Sequence, residues 1–294
     1  MFSWIQLESL TGGRWQVLPE GSSSGVLSVF DESQAVGPGS LFVAIGKGHQ
    51  FLGPAVAQGA VAVLVDQEPS SEQLQVLRER RVPVLRVADS LCAFHVLAAA
   101  HRQAFPRLKV FALTGSCGKT TTKEMLASVL ARRFGVDRLL KTHGNWNNHF
   151  GVPRMLLSLR PEHQVAVLEL GTNHPGEIRV LAEMAGPHVG VVTNIGQAHL
   201  EHLGSLEGVA EEKGSLLASL PEGGLAILPE DCPQKEILRR QAGDRRIKTF
   251  GGSPEADLQA FYHGPQGNGK YLVELAWKGQ AGRHRLEWGF AGAH

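Results

Sequence analysis

The chain has 294 residues, which suits about two domains at roughly 150 residues each. Hydrophobic residues make up 43% and charged residues 19%, a globular composition that excludes disorder. With 29 Lys and Arg against 28 Asp and Glu, the net charge is +1, so there is no electrostatic ground for a nucleic-acid binder, and any anion must be held by a local site. Cys92, Cys117 and Cys232 are too few and too scattered for a disulfide framework or a thiolate metal cluster. The opening MFSWIQLE lacks the basic and apolar regions of a signal peptide, and no apolar run approaches the ~18 residues needed to span a bilayer. The chain reads as soluble and cytoplasmic, with no membrane insertion.

Leu41-Phe42-Val43-Ala44-Ile45, Val61-Ala62-Val63-Leu64-Val65 and Val82-Pro83-Val84-Leu85-Arg86-Val87 read as strands. Short helices over 53–59 and 71–80 lie between them, giving a small α/β unit that ends near Val87. Leu91, Phe94, Leu97 and Ala98 share one face of a helix over 88–104, which Pro106 stops. A second series then alternates strands over 110–113, 165–170, 189–193 and 225–228 with helices over 119–134, 176–185 and 205–220. After Phe250 the pattern changes to antiparallel strands over 257–262, 271–277 and 284–288, joined by Gly-rich turns. The expected fold class is therefore α/β. A small N-terminal α/β domain covers 1–87, and a P-loop-type, mostly parallel sheet covered by helices spans 88–294, with an antiparallel extension near the C-terminus. The junction falls within 85–107.

Thr114-Gly115-Ser116-Cys117-Gly118-Lys119-Thr120-Thr121 follows an apolar strand and opens a helix, the setting of a phosphate-binding loop. Glycines let backbone amides converge on one anion, and the helix N-terminus adds a favourable dipole. Lys119 supplies charge for phosphates and the Thr120 hydroxyl suits Mg²⁺. The loop is shorter than the usual pattern, with Leu113 where that pattern has its first glycine. The competing reading is a strand-to-helix turn with an incidental Lys and Thr. The stretch His143-Gly144-Asn145-Trp146-Asn147-Asn148 offers amides that either bind phosphate or peptide oxygens or close a hydrogen-bonded loop. Glu169 ends an apolar run, where a carboxylate is costly unless salt-bridged or metal-bound; beside a phosphate loop it reads as a Mg²⁺ ligand. Glu169 and His199 follow strands expected to be neighbours in one sheet. His199 and His202 lack further ligands at zinc spacing, which leaves His199 as an ordinary loop residue on this stretch alone.

These blocks, together with Lys123-Glu124-Met125, Gly151-Val152-Pro153, Glu169-Leu170-Gly171-Thr172-Asn173-His174-Pro175-Gly176-Glu177-Ile178 and the run from Ala198-His199 to Lys213-Gly214, resemble the Mur ligases, ATP-dependent amide-bond-forming enzymes of peptidoglycan synthesis. The double-Asn and Gly-Thr-Asn-His stretches resemble most the branch that joins D-alanyl-D-alanine to UDP-N-acetylmuramoyl-tripeptide. The resemblance implies that the loop from Thr114 to Thr121, with Asn145 and Asn148, binds ATP. It implies Mg²⁺ at Thr120 and Glu169, and a second Mg²⁺ at His199 and at Lys213 in carbamate form. Lys119, His199 and Lys213 would then be catalytic, although Lys213 also reads as a solvated helix residue. Ser33, Asn173 and His174 would meet the small-molecule substrates.

The resemblance thins at both ends. The family's Asp-Ser-Arg is Glu32-Ser33-Gln34 here, so the arginine expected to serve the UDP end is missing, and the loop Gly46-Lys47-Gly48-His49-Gln50-Phe51 is shortened. The sequence stops at Gly289-Phe290-Ala291-Gly292-Ala293-His294, where the family continues into an adenine-side helix and a third domain. The expectation is thus a ligase or its first two domains, with an inactive nucleotide- or UDP-sugar-binding fragment and a folylpolyglutamate-type ligase as alternatives. For residues 1–294 alone, the expectation is a folded chain with weak nucleotide binding and little amide product.

Overall fold

A computed structural model describes residues 1–18, 25–267 and 270–289, so 290–294, where the resemblance thins, lies outside the described residues. Contacts divide the chain into two units, residues 1–106 with 153–159, and residues 107–152 with 160–294.

The first unit runs β1 (Phe2–Ser3), α1 (Trp4–Thr11), β2 (Arg14–Val17), β3 (Gly25–Val26), β4 (Ser28–Phe30), β5 (Ser40–Val43), α2 (Leu52–Ala57), β6 (Ala60–Val65), α3 (Ser71–Glu79), β7 (Val84–Arg86) and α4 (Ser90–Gln103). Local chemistry sets the helix ends: Ser3 with Gln6 and Ser70 with Gln73 form reciprocal capping boxes, and Asp89 accepts from the Cys92 amide. Strand β7 begins just after Pro83, which has no amide to give a ladder. The sheet order is β2-β7-β6-β5-β4, parallel except for β2 against β7. By contacts the junction falls at 106/107, at the far end of the 85–107 window and not at 87/88, because α4 packs on α1 and His101 stands edge-on to Phe2.

The second unit runs β8 (Lys109–Thr114), α5 (Lys119–Phe134), β9 (Leu139–Lys141), α6 (Gly151–Leu157, shared between units), β10 (Val165–Glu169), α7 (Glu177–Ala185), β11 (Val189–Val192), α8 (Leu200–Leu203), α9 (Leu206–Ala218), β12 (Leu225–Pro229), α10 (Lys235–Ala242), β13 (Arg246–Gly251), β14 (Leu258–Pro265), β15 (Tyr271–Trp277) and β16 (His284–Trp288). The nine-stranded sheet has the order β16-β15-β14-β13-β12-β11-β8-β10-β9. It is parallel from β9 to β14 and antiparallel from β14 to β16. The expected α/β class and antiparallel extension are what the chain forms.

The two sheet faces are covered unequally. On one, Val192, Ala226 and Leu228 pack with Ala210 and Leu217 of α9 and Leu238 of α10. Gly190 lies so close that an added Cβ would meet Leu216 and Leu217 at 3.3 Å. On the other, α5 covers β9, β10 and β8, and beyond it Phe111, Val189, Val191, Leu225 and Ile227 line a cavity of about 760 Å³. One feature departs from the sequence reading: β8 lies between β10 and β11, so the strands that precede Glu169 and His199 are not neighbours.

Candidate phosphate and metal site

Strand β8 ends at Thr114, which is fully buried and whose carbonyl accepts from the Thr193 amide. Thr114 therefore anchors the loop inside the sheet, and its buried Oγ1 has no hydrogen-bond partner within the protein. Gly115 is required by close approach, since a Cβ there would stand 1.8 Å from Thr193 Oγ1. The segment after β11 then clamps the loop. Ser116 N donates to Asn194 O at 3.2 Å, Cys117 N donates to Asn194 Oδ1 at 2.9 Å, and Thr193 Oγ1 donates to Cys117 O at 2.7 Å. The amides of Ser116 and Cys117, expected to face an anion, are thus turned toward Asn194. The donors left to meet one are those of the helix end.

Helix α5 starts at Gly118, held at φ 78°, with no side-chain cap. The first-turn amides of Lys119, Thr120 and Thr121 have no intrahelical acceptor by helix geometry, and the macrodipole adds positive potential there. Such a helix end takes anions. Lys119 Nζ donates to Gly115 O at 2.8 Å, placing its charge over the loop.

Glu169 closes this site from the neighbouring strand. It is 2% exposed, the last residue of β10, and sits in register with Leu113 of β8. Thr120 Oγ1 donates to its Oε2 at 3.0 Å and Asn147 Nδ2 to its Oε1 at 2.8 Å. Lys123, 1% exposed, has Nζ 3.9 Å from Glu169 Oε2 and 3.2 Å from Glu124 Oε1. Hard oxygen donors from Thr120 and Glu169 suit Mg²⁺, which keeps waters and nucleotide oxygens as its remaining ligands. Among the described residues, no group of three or more His, Cys, Asp or Glu could hold a metal ion, so His199 does not join Glu169 in such a cluster.

His199 caps α8 with φ 56° and ψ 31°, one of the non-glycine residues in the left-handed region. Such strain concentrates at functional sites. Lys213, on α9, is 2% exposed and is no solvated helix residue. Burial first, and Lys119 second, bring its pKa down to about 8, against an upward pull from Glu212. Lys119 and Lys213 therefore lie within electrostatic reach of each other.

Asn173 and His174 sit exposed on the turn before α7. Their amides donate to Glu177 Oε2 at 2.7 and 3.1 Å, and the His174 ring lies 4.4 Å from that of His202. Burial pushes the Glu177 carboxyl up, but these amides, with the His174 ring and the Thr172 hydroxyl, carry it below its usual value. Asn145 is exposed, while Asn148 caps α6, its Oδ1 accepting from Phe150 and Gly151 amides. The amide that reaches Glu169 is that of Asn147, passed over among the site residues although its motif was visible. In the first unit, Ser33 begins a short 3₁₀ turn after Asp31 and Glu32, and the Arg154 guanidinium pairs with both carboxylates at 2.7 Å.

A mostly parallel sheet with an uncapped helix end, a loop lysine and a strand-end carboxylate defines an α/β protein whose strand ends have the chemistry to accept an anion. The profile described as Mur ligase middle domain matches residues 113–294, and the chain belongs to the Mur ligase family. It is 40% identical over 256 residues to the UDP-N-acetylmuramoyl-tripeptide--D-alanyl-D-alanine ligase of Escherichia coli (strain K12), an alignment covering 85% of this chain and 52% of that protein. MurF from Acinetobacter baumannii superposes with a TM-score of 0.84 at 33% identity, covering 99% of this chain and 61% of that one. MurF from Thermotoga maritima in complex with ADP gives 0.75 at 28% identity, covering 88% and 57%. The chain thus spans about half the length of the curated relatives it matches. Among the described residues, no helix is long and apolar enough to cross a membrane.

Proposed function

We propose that this chain carries the ATP and Mg²⁺ site of a cytoplasmic peptidoglycan-precursor ligase that joins D-alanyl-D-alanine to UDP-N-acetylmuramoyl-tripeptide. The observation that carries this reading is the Thr120–Glu169 hydrogen bond of 3.0 Å at the uncapped start of α5. Similarity to UDP-N-acetylmuramoyl-tripeptide--D-alanyl-D-alanine ligases over most of the chain supports the choice of substrates.

The terminal carboxylate of the tripeptide attacks the γ-phosphorus of ATP, releasing ADP and forming an acyl phosphate. The D-alanyl-D-alanine amine then adds to the acyl carbon, loses a proton and expels phosphate, leaving the amide. Lys119 and the first amides of α5 hold the phosphates and offset charge as it builds on them. Mg²⁺, held by Thr120 and Glu169, would neutralise phosphate oxygens when bound. Asn147 fixes the Glu169 carboxylate, and Lys123 balances its charge from within the protein. Asn173 and His174 meet the peptide, Ser33 belongs to the UDP side, and catalysis is mostly positioning. The test is phosphate release with ATP, Mg²⁺ and both substrates, using the polypeptide in its full natural length. Release that ignores the tripeptide or D-alanyl-D-alanine overturns the reading.

Lys213 belongs to the same proposal as a carbamate. The neutral amine attacks CO₂ and loses a proton, turning a cation into an anion able to serve a metal. A pKa of about 8 leaves roughly a fifth of the amine neutral at pH 7.4, where an ordinary lysine has about a thousandth. Because the proton is lost as pH rises through about 8, carbamate should increase from pH 7 to 9. With ¹³C-bicarbonate, a carbamate resonance that is missing in Lys213→Ala is expected. Equal signal in both proteins rules Lys213 out as its source.

A further inference from the structure

Glu212 makes no hydrogen bond to Lys119, Thr120 or Glu169 among the described residues, yet it is one of the few buried carboxylates, 7% exposed. It projects from α9, one residue before Lys213. Its Oε2 accepts from the Gly176 amide at 2.6 Å, and its Oε1 accepts from the Ile178 amide at 2.8 Å and from Thr172 Oγ1 at 3.1 Å. Burying a carboxylate is tolerable only when its oxygens are satisfied in this way.

The reason lies in α7. That helix opens at Gly176, held at φ 87°, with no side chain to cap it. Its first amides need acceptors, and Glu212 supplies them from another helix. Glu177 holds the adjoining Asn173 and His174 amides, so the 172–178 turn is folded around two carboxylates. Thr172 links them, its single hydroxyl proton within reach of His174 O at 2.8 Å, Glu177 Oε2 at 3.2 Å and Glu212 Oε1 at 3.1 Å. Without Glu212 the amides of Gly176 and Ile178 lose these acceptors, and the turn loses its tether to the helix that carries Lys213.

We propose that Glu212 is a positioning residue: it fixes the 172–178 turn onto α9 and so sets how Asn173 and His174 present themselves to the peptide end of the substrate. This rests on the substrate reading above. At the nucleotide end, Lys119, Thr120 and Glu169 share no hydrogen bond with Glu212 among the described residues, and the link that remains is the charge Glu212 exerts on neighbouring Lys213.

The test uses Glu212→Ala in the 294-residue chain, with titrations of ADP–Mg²⁺ and of UDP-N-acetylmuramoyl-tripeptide and hydrogen exchange over 173–178. Loss of these hydrogen bonds is expected to weaken tripeptide binding about tenfold or more, with ADP affinity kept within about twofold, and to speed Gly176 and Ile178 exchange. If Glu212→Ala does not fold, Glu212→Gln carries the test. It has the same volume, but its amide NH₂ opposes a backbone donor, so a smaller loss in the same direction is expected. Faster exchange with unchanged tripeptide affinity would show a purely structural role and overturn the proposal, as would equal weakening of ADP and tripeptide. An unmutated chain that binds no tripeptide sinks the substrate reading and this proposal with it. That outcome is distinct from wild-type binding that survives the substitution.

Discussion

Lys119→Ala is expected to weaken ADP–Mg²⁺ binding about 10- to 150-fold, the equivalent of losing a charge-assisted hydrogen bond worth roughly 1.5–3 kcal/mol. Lys119 is the only charged side chain between Thr114 and Thr121, so nothing else in the loop replaces it. The effect should be on binding and not on folding, because the residue is only partly buried and Ala is a strong helix former at the start of α5. Calorimetric titration of both proteins at one salt concentration reads the difference. Affinity retained within about twofold removes Lys119 from the phosphate site. A second consequence follows from the lysine pair: without Lys119, one of the causes that lower the Lys213 pKa is gone, although burial, the larger cause, remains. The Lys213 pKa should therefore move up only part of the way to its ordinary value.

The sequence speaks most clearly where local rules and tertiary structure agree. Helix α5 occupies 119–134, as its glycine start and apolar spacing require, and β15 and β16 match the bounds expected from alternation between Gly-rich turns. Where packing decides, the sequence is silent. Strands β2 and β4 are short edge strands, α10 is a short, highly charged helix that buries only Leu238 and Ala242, and β13 carries charges between its apolar residues. The capping box of α1, Ser3 with Gln6, was readable but stands within an N-terminus that shows no strong period.

The site divides along the same line. The loop and Glu169 could be found because each joins a polar group to an apolar strand end, a conflict that calls for a ligand or a partner. Glu211-Glu212-Lys213 has the look of a solvated helix face, and only the fold shows that Glu212 and Lys213 point inward while Glu211 does not. The three asparagines offer no local sign of which one meets Glu169. Asn147 does so because Asn148 is used to cap α6. The order of strands is a global property as well. Chain order suggests that β10 and β11 are neighbours, but β8 enters between them, and that central strand is what brings the phosphate loop beside Glu169.

Glu169→Gln is expected to weaken divalent-cation binding about ten- to a hundredfold or more, since even supporting partners of a metal site carry effects of that size. The substitution is nearly isosteric, and the amide oxygen can still accept from Thr120 or from Asn147, but the negative charge is gone. The new NH₂ must then face one of two groups that now donate to the carboxylate, Thr120 Oγ1 at 3.0 Å or Asn147 Nδ2 at 2.8 Å. Lys123 meanwhile loses an anion 3.9 Å away while staying 1% exposed, and retains only Glu124 at 3.2 Å and Gly144 O at 3.4 Å. An unbalanced buried charge destabilises, so a lower melting temperature should accompany the metal defect. Lys123→Met separates the two effects. It removes the buried charge without touching Glu169, so it should alter stability while Mn²⁺ still binds in the presence of ADP. Paramagnetic titration with Mn²⁺ reads the cation directly and needs no turnover. Glu169→Gln binding Mn²⁺–ADP as tightly as the unmodified chain would leave Glu169 a structural sheet-end carboxylate, held by Thr120, Asn147 and Lys123 for the sake of the fold alone.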